Sequence, residues 1–169
     1  MNRRAFSFPA RRERVFVAQE MFASESFVRG VVDIVLRDKK GRVKKQLRAV
    51  ANLVVDNGKY GIADQLLATP SIAKPSHMAI GTGTTTPVVG DTALQAEVGT
   101  RVAFSSKTRS NNVVTMIGSF GAGNGTGAIT EAGILNASSG GSLYSRVTFA
   151  AINKGANDTL ELTWTYTIG

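Results

Sequence analysis

Alternation of apolar and polar positions is clearest at the end of the chain. In TLELTWTYTI, residues 159–168, Leu160, Leu162, Trp164, Tyr166 and Ile168 fall on one side of an extended strand, and Thr159, Glu161, Thr163, Thr165 and Thr167 on the other. This predicts a long strand with one buried face and places Trp164 in the core. The threonine face suits a solvated surface or one half covered by a neighbouring subunit. Just upstream, Leu143, Ser145, Val147 and Phe149 alternate with Tyr144, Arg146 and Thr148, and residues 153–158 (NKGAND) carry turn chemistry. Together they predict a β-hairpin over residues 142–168.

The same alternation recurs toward the front. Residues 28–36 and 43–50 are two β-rich runs around the turn signal Asp38-Lys39-Lys40-Gly41, which predicts a second hairpin. Its cations form either a basic patch or a solvated tip that resists edge-to-edge aggregation. Asp56 or Asn57 is a candidate N-cap for a helix over 58–68, whose apolar stripe is Tyr60, Ile62, Ala63, Leu66 and Leu67. Gly58 and Gly61 each cost such a helix roughly 1 kcal/mol relative to alanine, so packing must hold it, and it is expected to cap one end or face of the sheets. Thr69-Pro70 ends it.

Residues 77–80 read as a short strand and 81–87 as a stiff Gly/Thr loop. Asp91 or Thr92 has the spacing to cap a short helical turn. Residues 101–106 and 113–120 form a third predicted hairpin around Ser110-Asn111-Asn112; 121–127 (GAGNGTG) reads as a mobile loop and 129–135 as a strand. About eight strands and one short helix predict an all-β fold, an antiparallel β-sandwich with the jelly roll as one form of it.

A chain of 169 residues can bury a substantial core. It has no cysteine, which excludes disulfides and cysteine-based zinc or redox sites, and no apolar run approaches the ~20 residues of a membrane span. No membrane partner is expected. Charge is informative through its location: residues 1–50 hold 13 Lys/Arg against 5 Asp/Glu, whereas 51–169 hold 7 of each. A neutral body therefore carries a basic front segment aimed at something acidic.

Residues 1–27 also hold five of the eight phenylalanines. Disordered tails are poor in aromatics, and Arg with aromatic residues is the composition of interface anchors. The chain thus divides into an extended basic arm, 1–27, and a β domain, 28–169. The expected partner contacts of the arm are Arg3, Arg4, Phe6, Phe8, Arg11, Arg12, Arg14 and Phe16. The alternative is that these phenylalanines pack on the domain's own core.

Candidate chemistry is sparse. Neither GTGTTT nor GAGNGTG satisfies G-x-G-x-x-G, and no Gly-Lys-Ser/Thr follows them, so phosphate binding is not expected. His77 is the only histidine, which leaves a His-dependent triad or a common zinc site one imidazole at most; a core or subunit-contact role is expected. The spacing of Asp91, Glu97, Glu131 and Asp158 suggests neither a carboxylate pair nor a calcium site. Glu131 interrupts an apolar strand and requires a partner such as Arg101 or Arg146, in a buried or interfacial ion pair. No catalytic residue, metal or cofactor is expected; Glu131, Arg146 and Trp164 are expected to be structural or interfacial.

Several motifs then coincide: Asn52 and Gly58 before a helix, Met78-Ala79-Ile80-Gly81-Thr82-Gly83, Asp91-Thr92-Ala93-Leu94 with Glu97, Glu131-Ala132-Gly133-Ile134, Leu143 with Arg146 and Phe149, Lys154, and Asp158-Thr159-Leu160 with Trp164. From about residue 43 to the end this series resembles small virion proteins of tailed bacteriophages, of the head decoration (cement) or tail-fibre and collar type. The resemblance implies a non-enzymatic structural protein that assembles as a symmetric oligomer, with a trimer favoured, in a virion put together in the host cytoplasm. Its partner would be the major capsid protein or another virion protein. Two other readings use other features: a nucleic-acid-binding module whose arm and basic hairpin track phosphates, disfavoured because no stacking platform lies on a basic strand, and a carbohydrate-binding fibre tip, which would want aromatics on its loops.

Overall fold

The computed structural model describes residues 27–169. Along the chain it contains β1 (Val28–Arg37), β2 (Val43–Val54), α1 (Asp56–Asp64), β3 (His77–Gly81), β4 (Glu97–Ala103), β5 (Ser106–Ser110), β6 (Val113–Phe120), β7 (Gly127–Leu135), β8 (Leu143–Lys154) and β9 (Thr159–Ile168). The fold is all-β and antiparallel with one short helix, as the alternation predicts. All nine strands join in one sheet, in the order β4-β3-β7-β8-β2-β1-β9-β6-β5.

The sheet curls at β2, which pairs with β1 through most of its length and then with β8 through Leu53 and Val54. A bulge assists the turn: Ala49 sits at φ 49° and donates its N–H to the Asp33 carboxylate at 2.6 Å. Bulges bend the strand that carries them and increase its local twist. The curl brings the inner faces of β1, β9 and β6 against those of β3, β7 and β8, so that Val32, Ile34, Leu162 and Trp164 share one core with Met78, Ile80, Ile134 and Val147. The two edge strands, β4 and β5, are consecutive in the chain and separated only by Phe104 and Ser105.

The largest correction concerns the end of the chain. β8 and β9 do not form the hairpin expected over 142–168: β8 pairs with β7 and β2, and β9 with β1 and β6. The turn between them carries the chain from one half of the curl to the other. Their inward faces meet across the core, where the Ser145 and Tyr166 hydroxyls share a hydrogen bond. Alternation reports which face of a strand is buried and turn residues report where it ends, but neither names the neighbour that completes its ladder.

Residues 101–106, expected as one strand, are likewise divided. Only the 106–110 portion pairs with β6, and Asn111, at φ 50°, turns that hairpin. The helix starts earlier and ends sooner than the predicted 58–68. Val55 occupies the N-cap position without a side-chain cap, and the Asp56 N–H is taken instead by the Val89 carbonyl at 2.8 Å. Asp91 caps no helical turn; its carboxylate accepts the Val88 N–H within an irregular loop. The GAGNGTG loop is tied down by Asn124, whose amide bonds both the N–H and the C=O of Thr100.

Packing of α1 explains its glycines and overturns its predicted apolar stripe. A Cβ at Gly58 would lie 2.1 Å from the Tyr144 carbonyl oxygen, and one at Gly61 2.1 Å from the Tyr144 hydroxyl. The helix therefore seats on β8 through its glycine face. Tyr60, Leu66 and Leu67 of the stripe are exposed, and Ile62 is only partly buried.

Candidate functional site

The polar residues that stand out in apolar surroundings converge on the outer face of β7 and β8. Gly133 on β7 lies opposite Arg146 on β8, and Glu131 lies opposite Thr148, so register alone places Glu131 and Arg146 as near neighbours on one face. The Arg146 Nε donates to Glu131 Oε2 at 2.9 Å, and both side chains are 0% exposed. Arg101, the other partner considered for Glu131, instead forms a two-point pair with Glu97, at 2.8 and 2.9 Å.

Three backbone donors complete the shell around Glu131. Gly83 N–H (3.1 Å) and Ala96 N–H (2.7 Å) reach Oε1, and Gln95 N–H (3.1 Å) reaches Oε2. Arg146 in turn donates through Nη1 to Asp91 at 3.0 Å and through Nη2 to the Thr85 hydroxyl at 3.3 Å. All of these partners lie in residues 82–96, the long connection between β3 and β4. Burial alone pushes the Glu131 carboxyl up; the N–H groups of Ala96 and Gln95 and the Arg146 guanidinium outweigh it and hold the group below the ordinary carboxylate value. The cluster acts as a clamp that fastens this irregular loop to the sheet.

Small residues make room for it. A Cβ at Gly133 would meet Leu94 Cδ1 at 2.5 Å, and one at Gly81 would meet the Ala96 carbonyl oxygen and Glu131 Oε1, each at 2.5 Å. Leu94 closes a second, smaller apolar cluster with Val55, Ala79, Leu135 and Leu143. Asp91 is the member that sequence reasoning treated as a helix cap; its distance of 55 positions from Arg146 left no local signal for the contact.

A second ionic contact stands at the β8–β9 turn. Asp158 accepts Lys44 Nζ at 2.6 Å and the Gly155 N–H at 2.8 Å. The Lys44 hydrogen bond first, and then the Gly155 N–H, lower its carboxyl below the usual range. Lys154, almost fully buried, donates to the Gly121 carbonyl at 2.8 Å.

Trp164 lies in the main core at 0% exposure. With the Asn52 amide turned so that its oxygen faces the donors, that oxygen accepts from Trp164 Nε1 at 2.6 Å and from the Val31 N–H at 3.3 Å. His77 is partly buried and shares a 2.8 Å hydrogen bond with the Ser76 hydroxyl. The expected arm contacts Arg3, Arg4, Phe6, Phe8, Arg11, Arg12, Arg14 and Phe16 lie outside the described residues. Among the described residues no helix is long and apolar enough to cross a membrane, and no group of three or more His, Cys, Asp or Glu side chains is placed to hold a metal ion.

No protein-family model, curated protein or solved structure matches this chain.

Proposed function

We propose that this chain is a non-enzymatic virion structural protein of a tailed bacteriophage, a capsid decoration protein that stabilises the head shell by bridging capsid subunits. The observation that carries the reading is the closed Glu131–Arg146 pair. The most conspicuous charges in the domain are spent on one another, on backbone donors and on Asp91, in an arrangement that stiffens a loop and leaves the carboxylate oxygens occupied. A frame locked in this way suits a building block. The sequence motifs that resemble phage virion proteins, and the basic Phe-rich arm, supply the rest of the reading.

In this reading the domain assembles as a symmetric oligomer, with a trimer favoured, and residues 1–16 of the arm reach an acidic surface on the major capsid protein. A tail-fibre or collar position is the alternative within the same class. A nucleic-acid module gains less support, because several cations of the basic hairpin are engaged internally: Arg42 with Asp38, Lys44 with Asp158, and Lys45 with the Ala151 carbonyl.

The test compares the full chain with a variant in which Arg3, Arg4, Arg11, Arg12 and Arg14 are all changed to serine, in co-sedimentation with empty capsids from the same source. The wild type is expected to bind with a marked salt dependence, and the variant more weakly and with a shallower one. Imaging of decorated particles then locates the protein. Equal binding by both forms removes the arm as the tether. Binding of the wild type to DNA with a steep salt slope, while it ignores capsids, establishes the nucleic-acid reading in its place.

A further inference from the structure

Because α1 seats on β8 through Gly58 and Gly61, its apolar side chains are left facing another way. Of these, Ile62 and Ala63 form part of one wall of a groove of about 710 Å³. Ile62 lines it from the helix and Leu66 from the turn that follows; Val31, Ala51 and Leu53 line it from β1 and β2, and Phe27 from just ahead of β1. Leu66 is 89% exposed and Phe27 67%. A continuous apolar surface of this kind marks an interaction site. Its volume is within the range of small-molecule sites, roughly 300–1,000 Å³, but the convergent polar groups that orient such ligands are lacking: Asn52 is the one uncharged polar side chain in the lining, and its oxygen already serves Trp164 and Val31.

We propose that this groove is the docking site for residues 17–26 of the same chain. Three observations name that occupant. The chain leaves the described fold at Phe27, which itself lines the groove, so the preceding residues begin at its wall. Ten residues reach up to roughly 33 Å when extended, and attachment at the wall gives them a high effective concentration there. Their composition also matches: Val17, Ala18, Met21, Phe22 and Ala23 are apolar, as most of the lining is, and the segment carries no cation. All five arginines of the arm lie in residues 1–16. The arm thereby divides into a proximal part that seats on its own domain and a basic distal part that projects from a defined point. This division goes beyond the capsid reading and stands or falls separately from it.

The chain has no native cysteine, so an introduced pair reports cleanly. The full chain carrying Phe22→Cys and Leu66→Cys is oxidised at low micromolar concentration and compared with one carrying Phe22→Cys and Thr163→Cys, whose second site lies on the outward face of β9. Rapid formation of an intramolecular disulfide in the first and not in the second is expected. Equal rates in both overturn the proposal. A disulfide between two chains also overturns it and assigns the groove to the arm of a second copy. An independent reading comes from amide hydrogen exchange in the full chain without introduced cysteines: residues 17–26 are expected to be protected in the wild type and to exchange ~10-fold faster or more in Leu66→Glu, a change at a solvent-facing position that leaves the core untouched. If those amides are unprotected in the wild type, or exchange alike in both forms, the groove does not hold this segment.

Discussion

The two halves of the curled sheet are built differently on their outer faces. Around β7 and β8 the outer face is covered: loop 82–96 lies over it, Leu94 packs into it, and Glu131 with Arg146 fastens the loop from below. On the β1–β9–β6 side, outward residues Thr159, Glu161, Thr163, Thr165 and Thr167 of β9 all remain partly exposed, and the strand is held by its ladders and by the inward row that includes Trp164. One half is thus stabilised by polar contacts and small residues on its outside as well as by the core, the other mainly by the core and its ladders. Stability losses should therefore arise from both faces of the first half and from only one face of the second.

The largest effect that sharpens this comparison is expected for Glu131→Gln. It leaves Arg146 buried without its main counter-charge, and removing one member of a buried pair costs about 3–5 kcal/mol. The pH dependence identifies the cause. Because the folded-state pKa of Glu131 is depressed, its contribution is present above the ordinary carboxylate value of 4.5 and is lost as pH falls through the lower folded value. Urea denaturation should show the gap between wild type and variant at its widest near neutral pH and closing as pH falls below the ordinary carboxylate value of 4.5. A gap independent of pH would assign the cost to packing rather than charge.

Trp164→Ala tests the other half, from its inward face. Loss of transfer free energy and the cavity left behind predict a cost of about 3–5 kcal/mol in chemical denaturation. A cost below ~1 kcal/mol would mean that the core does not depend on this side chain. The smallest effect belongs to the position next along the same strand. Thr165→Val changes a partly exposed residue flanked by Val31 and Thr115 and should shift stability by no more than about 0.5 kcal/mol. A large loss there would show that the threonine face is structurally engaged, as the inward face is.

Much of this could be seen in the chain before folding. The alternation in β9 identified its buried face, the Asp38–Gly41 turn was recognisable, and the solitary Glu131 in an apolar run demanded a cation. The failures share a cause. β8 and β9 were predicted to pair because they are adjacent and joined by turn residues, yet each found its hydrogen-bonding neighbours elsewhere. The helix was expected to bury Leu66, yet it buried Gly58 and Gly61, because a close backbone approach to Tyr144 is a property of two elements that neither displays alone.

What the sequence by itself determined is local and periodic: an all-β chain, which side of most strands faces inward, the place of most turns, and a concentration of positive charge in residues 1–50 ahead of a charge-balanced remainder. These follow from side-chain alternation and turn chemistry acting over a few residues. Only the tertiary structure decided that the strands join in one curled sheet, that Arg146 rather than Arg101 meets Glu131 and also holds Asp91, and that the helix seats on β8 through Gly58 and Gly61 and turns Ile62 and Ala63 toward a groove. Each of those choices was made between residues distant along the chain, where burial and hydrogen-bond satisfaction select the partner and no short-range pattern records the outcome.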